Sequence, residues 1–255
     1  MFATSLAAFS LGFVTDRLTP SMEHIRATWD TSKALSRDLL IANQVRWFGL
    51  QGVLLIGTGI VGISEIGGLR ATMSLAGPVN LVLTSLENVI PIRVAEILKS
   101  GGAQQACDYV RRAIYLSVLG LGPVLLVVAL FGHSILRVVY GPAMVPFYLP
   151  MLLQLLGVFV MIAGRLWLFF FRGVQDGRAM LWANALSAFA SISTIWVFGR
   201  LWGGAGIVGS SLSGQVIIVV FSMFYWARHQ SELTRKFPEV KVPTREEYPS
   251  TASIG

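Results

Sequence analysis

Residues 113–131 read AIYLSVLGLGPVLLVVALF, nineteen residues without a charge, entered through Arg111 and Arg112. At about 1.5 Å rise per residue such a run approaches the roughly 30 Å hydrocarbon core of a bilayer, so it predicts a membrane-crossing helix. Residues 47–64, 145–171, 179–198 and 207–227 have the same character, with Arg165 the one charge among them. A sixth run, 69–92, is uncharged from 71 to 86 and then meets Glu87; the alternation of the others requires it to cross as well. Ahead of these, residues 2–14 are apolar but too short to cross alone, and they lack the basic start of a signal peptide. They read as the tail of a preceding helix.

Composition agrees. Of the 255 residues 54% are hydrophobic and 13% charged, against about 25% charged in soluble domains, and mean hydropathy is +0.67. The net charge of +7 is spread between the apolar runs rather than gathered in one patch, which fits an anionic membrane surface better than nucleic acid. Cys107 is the only cysteine, so no intrachain disulfide or cysteine-cluster metal site can form. His24, His133 and His229 show no metal-binding spacing.

The connections set the orientation. With the polar stretch 15–46 placed in the cytoplasm, sixteen of the twenty Lys and Arg residues fall on that side. Only Arg70, Arg137 and Arg200 fall on the other, which is the bias of the positive-inside rule. The expected organisation is a helix stub (1–14), a cytoplasmic amphipathic linker (15–44), a six-helix transmembrane region (45–227) and a cytoplasmic tail (228–255) disordered beyond its first turn or two. The fold expected is all-α, a multi-pass bundle in a bacterial inner membrane with its C-terminus in the cytoplasm.

Small residues let membrane helices approach closely. Gly206, Ser210 and Gly214 form a ridge in the last run, and Gly49, Gly52, Gly57, Gly59 and Gly62 crowd the first. Pro78 and Pro123 stand within runs, where proline usually kinks a helix. The informative charges are Glu87 and Arg165, each roughly 9–10 Å inside a cytoplasmic border by helical rise. At that depth an ionisable group must be paired, hydrated or able to reach the interface. One reading pairs them with each other or lets them snorkel; the other places both on a water-filled cavity. Asn80, Asn88, Gln154, Asn184 and Gln215 add neutral hydrogen-bonding capacity, each serving equally as an interhelical tie or as cavity lining. No nucleophile elbow, zinc-protease motif or phosphate-cradling loop occurs, so no catalytic residue, metal or cofactor is expected.

Three stretches resemble a known family. Residues 87–114 (ENVIPIRVAEILKSGGAQQACDYVRRAI) read as a helix ending in a proline, a glycine-containing cytoplasmic turn and an amphipathic helix entering the next span. Residues 130–156 (LFGHSILRVVYGPAMVPFYLPMLLQLL) and 201–213 (LWGGAGIVGSSLS) read as an external loop and the glycine-rich start of a last core helix. In order and spacing these are similar to the C-terminal half of polysaccharide flippases of the multidrug/oligosaccharidyl-lipid/polysaccharide (MOP) exporter superfamily. The resemblance implies one lobe of a two-lobe transporter, either as a piece of a longer chain or joined to a second lobe or copy. It also implies flipping of a polyprenyl-diphosphate-linked oligosaccharide for polysaccharide biosynthesis, with Arg165 holding the anionic headgroup and membrane lipid around the lobe. A cation-coupled multidrug exporter lobe and a non-transporting scaffold subunit of a glycan assembly complex are the alternatives.

Overall fold

The computed structural model describes residues 22–74 and 77–238, with side chains at 33, 36–74, 77, 81–123 and 125–238. Two units are distinguished, Met1–Arg37 and Asp38–Gly255; the described residues of the first are helical, and all that follows concerns the second. All regular structure among the described residues is helical: α1 (Met22–Val61), α2 (Ile63–Ser74), α3 (Gly77–Ser100), α4 (Gly102–Tyr140), a 3-10 helix (Pro142–Phe147), α5 (Tyr148–Gly173) and α6 (Gly177–Lys236). Among the described residues, four helical segments are long and apolar enough to cross a membrane: Ser36–Val61 of α1, α4, Pro142–Gly173 and α6. Large apolar side chains such as Leu119, Leu126 and Leu130 stand exposed along α4, a surface suited to lipid rather than water.

The longest of these helices is not straight. Gly203 has φ 55° and ψ −132°, a backbone closed to residues with a side chain, and there α6 folds back on itself. The arms, 177–202 and 204–236, run antiparallel. Thr194 and Ser213 share a 3.0 Å hydroxyl hydrogen bond across them, and at the far end the Tyr225 hydroxyl donates to Asp176 Oδ2 at 2.6 Å. A Cβ on Gly206 would fall on the Phe198 carbonyl, and one on Gly214 on the Ser191 hydroxyl, so the expected small-residue ridge is what brings the arms into contact. The runs 179–198 and 207–227 lie one on each arm. Glu65 Oε1 accepts a 2.8 Å hydrogen bond from the Gly204 N–H, placing a carboxylate at the positive N-terminus of the second arm.

Register defines the other neighbours. α4 and α5 are antiparallel, tied by the Tyr148 hydroxyl donating to the Ala129 carbonyl at 2.9 Å. α2 and α3 together run parallel to α5. The Phe147 ring occupies the space a Cβ on Gly68 would need, Arg172 meets Glu87 at 3.5 Å, and Gly173 packs on Val94. From 68 to 94 and from 147 to 173 the interval is the same 26 residues. The core is thickest at the Gly173 end, where Ile162, Leu166, Phe170 and Phe171 pack with Ile90, Val94 and Trp226.

The expected bounds and the helices do not coincide everywhere. Within the expected run 69–92, residues 69–74 lie in α2 and residues 77–92 in α3, and residues 75–76 lie outside the described part. Pro78 lies in α3. α3 does not end at Pro91 but continues through it to Ser100. Gly62, at φ +92°, separates α1 from α2 inside the expected first run. No break marks residue 44, which lies within α1. α6 continues to Lys236, about two turns past Arg228; the expected stub 1–14 and the last seventeen residues of the tail lie outside the described residues.

Candidate substrate cavity

The polar residues of the spans were expected to gather, and four of the seven do. A partly open cavity of about 400 Å³ lies between α1, α5 and both arms of α6, with Met73 of α2 on its wall. Each helix presents one face at the three-, four- and seven-residue spacing of an α-helix. From α1 come Arg46, Gly49, Leu50 and Val53; from α5, Gln154, Gly157, Met161 and Arg165. The first arm of α6 adds Asn184, Ser187, Ala188 and Ser191, and the second Val208, Ser211 and Gln215. Glycine brings two of these walls together: a Cβ on Gly49 would stand 2.9 Å from the Ala188 Cβ.

Arg165, Gln154, Asn184 and Gln215 thus share one cavity. Glu87 does not line it. Its carboxylate meets Arg172 at 3.5 Å, with both side chains partly exposed, so the pairing of Glu87 with Arg165 is replaced by one a full two turns further along α5. Asn88 is exposed on α3 and donates to the Thr84 carbonyl of its own helix at 3.4 Å. Asn80 lies in α3, but its side chain falls outside the described residues.

The cavity is cationic. Arg46, absent from the expected set, lines it together with Arg165, and no carboxylate among the described residues does. Arg46 Nη2 donates to Asn43 Oδ1 at 2.9 Å. Arg165 has no hydrogen bond or ion pair among the described residues, and its guanidinium stands in a wall that is otherwise largely apolar. The two amides differ from it. Gln154 Nε2 donates to the Leu69 carbonyl at 3.3 Å and Asn184 Nδ2 to the Met180 carbonyl at 2.8 Å. Their carbonyl oxygens, Gln154 Oε1 and Asn184 Oδ1, are buried with no partner.

Arg46 escaped notice because it stands at the edge of an apolar run and counts naturally among the cytoplasmic charges. The signal was present nonetheless: positions 46, 49, 50 and 53 form one helical face on which an arginine is followed by a glycine. Ser187, Ser191 and Ser211 were legible only as small residues, since a serine hydroxyl can bond to its own helix and be silent.

No family model, no curated protein and no solved structure matches this chain.

Proposed function

We propose that the chain is a lobe of a membrane transporter that moves an anionic amphiphile across the bilayer, a polyprenyl-diphosphate-linked oligosaccharide being the substrate class. The observation that carries this is Arg165, unpaired among the described residues, beside Arg46 in a largely apolar cavity with no carboxylate among those residues. Two guanidiniums offer charge-assisted, bidentate hydrogen bonds to phosphate oxygens, while the apolar walls suit a prenyl chain. A cation-coupled exporter would need acidic groups where this cavity has none among its described residues. The substrate would be displaced by rocking of helices about the cavity, with no covalent step.

In this reading six passes cross a bacterial inner membrane, with α3–α4, α5–α6 and the C-terminus on the cytoplasmic side. The fold-back at Gly203 supports counting the arms of α6 separately. The 26-residue register of α2–α3 against α5 supports counting those two helical segments as one pass. Resemblance to one lobe of a MOP-type flippase enters here as a supporting argument for a two-lobe transporter completed by a second lobe or copy.

Photo-crosslinking tests the reading without requiring a complete transporter. A benzophenone amino acid at Met161, inside the cavity, should capture a radiolabelled polyprenyl-diphosphate glycan in membranes containing the chain. The same group at Leu126, on the exposed face of α4, should not. Capture at Met161 should fall at least tenfold in Arg46→Ala/Arg165→Ala. Equal capture at both positions, or capture indifferent to the arginines, would speak against the proposal.

A further inference from the structure

The two unpartnered carbonyls say something about the ligand that the arginines do not. Asn184 is 4% exposed, Gln154 is half-buried, and both belong to the cavity wall. In each, the amide nitrogen is already committed to a backbone carbonyl, of Leu69 or of Met180, so exchanging O for N would set oxygen against oxygen. The orientation of both amides is therefore fixed by their partners, and what remains at each is an acceptor. A buried acceptor left unmade costs on the order of 1–3 kcal/mol, so two in one cavity are out of balance with the packing around them. Arginines cannot be the whole recognition surface, since an anion supplies acceptors and would leave both carbonyls unanswered.

From this we infer that Gln154 and Asn184 are specificity-determining residues that accept hydrogen bonds from hydroxyl or N–H donors carried next to the ligand's anionic group. The inference rests on the anion-binding reading of the cavity and narrows it: a sugar phosphate headgroup satisfies both sets of groups, whereas a plain phosphate or carboxylate amphiphile satisfies only the arginines. Because the carbonyls are covered by neighbouring atoms in this state, binding has to open the wall slightly at Gln154 and Asn184. Discrimination then follows from geometry, because only a donor-bearing headgroup recovers the cost of doing so.

The test compares two probes of equal charge, hexosyl dodecyl phosphate and its fully O-methylated counterpart, binding the purified full chain in nanodiscs. The chain should bind the hydroxyl-bearing probe about tenfold more tightly, the effect of two hydrogen bonds of ordinary strength. In Gln154→Met/Asn184→Leu, which removes buried acceptors that nothing answers, both probes should bind with the same, weaker affinity. Should the double variant fail to fold, each single variant should retain part of the preference. Equal affinity of the unaltered chain for the two probes overturns the inference, and so does a preference that survives both substitutions, which would mean that the hydroxyls are bound elsewhere. Arg165→Ala separates the two readings. If it leaves binding of both probes unchanged, the anion-binding reading fails whatever the hydroxyl preference shows. If neither probe binds the unaltered chain, both readings fail together.

Discussion

At the scale of single residues the account turns on Arg165, a guanidinium in a membrane-type helix with neither a hydrogen bond nor an ion pair among the described residues. Sequence depth alone identified it, because an arginine that far inside an apolar run has to be answered by something. Depth could not decide the partner of Glu87. Arg165 and Arg172 are seven residues apart and share a helix face, so the choice between them was made by the register of α3 on α5, which no local pattern encodes. The consequence is testable. Arg165→Ala should abolish glycan capture or export while protein abundance stays within about twofold. Arg165→Lys should retain part of the function, because lysine keeps the charge but loses the two-pronged contact with phosphate. Adding Glu87→Ala to Arg165→Ala should rescue nothing. Glu87→Ala alone should cost no more than about 1 kcal/mol of stability, as expected for a partly exposed ion pair. Restored export in the double variant, read by surface-glycan staining, would mean that the two side chains do interact.

At the scale of elements, the glycines of α6 show how much topology was legible. Two apolar runs separated by WGGAG announced two helical arms, and the four-residue ridge announced close packing. What the sequence did not announce was that the turn needs a single non-helical residue, Gly203, with α2 closing over it through Glu65. The break at Gly62 inside the 47–64 run was hidden for the opposite reason, since hydropathy averages over a break. Packing supplies a contrast within one residue type. Gly206→Ala would drive a methyl into the Phe198 carbonyl, whereas a Cβ on Gly59 meets nothing within 4 Å. Gly206→Ala should therefore lower stability by about 2 kcal/mol or more, the usual cost of overpacking. Gly59→Ala should be neutral or slightly stabilising. Fluorescence-detected size exclusion after heating ranks the two, and equal melting would remove the hairpin contact from the account. Glu65→Ala should cost about 1 kcal/mol by the same assay, as for other lost caps, with Glu65→Gln recovering part of it.

At the scale of the whole molecule, six apolar runs and a one-sided distribution of basic residues predict six passes, while four helices are individually long and apolar enough to cross. Counting α6 twice and α2–α3 once, as proposed, reconciles the two numbers. Cys107 is the only native cysteine, so a Cys107→Ser background lets each turn be read with a membrane-impermeant maleimide in intact cells. Ser64→Cys and Ala143→Cys should label from outside, and Ser100→Cys only after lysis. The deciding pair is Arg178→Cys and Arg200→Cys, at opposite ends of the first arm of α6. The account predicts labelling of Arg200→Cys in intact cells and of Arg178→Cys only once the membrane is opened. Labelling of both positions from the same side would contradict the fold-back as a pair of crossings, and with it the proposed six-pass organisation around the cationic cavity.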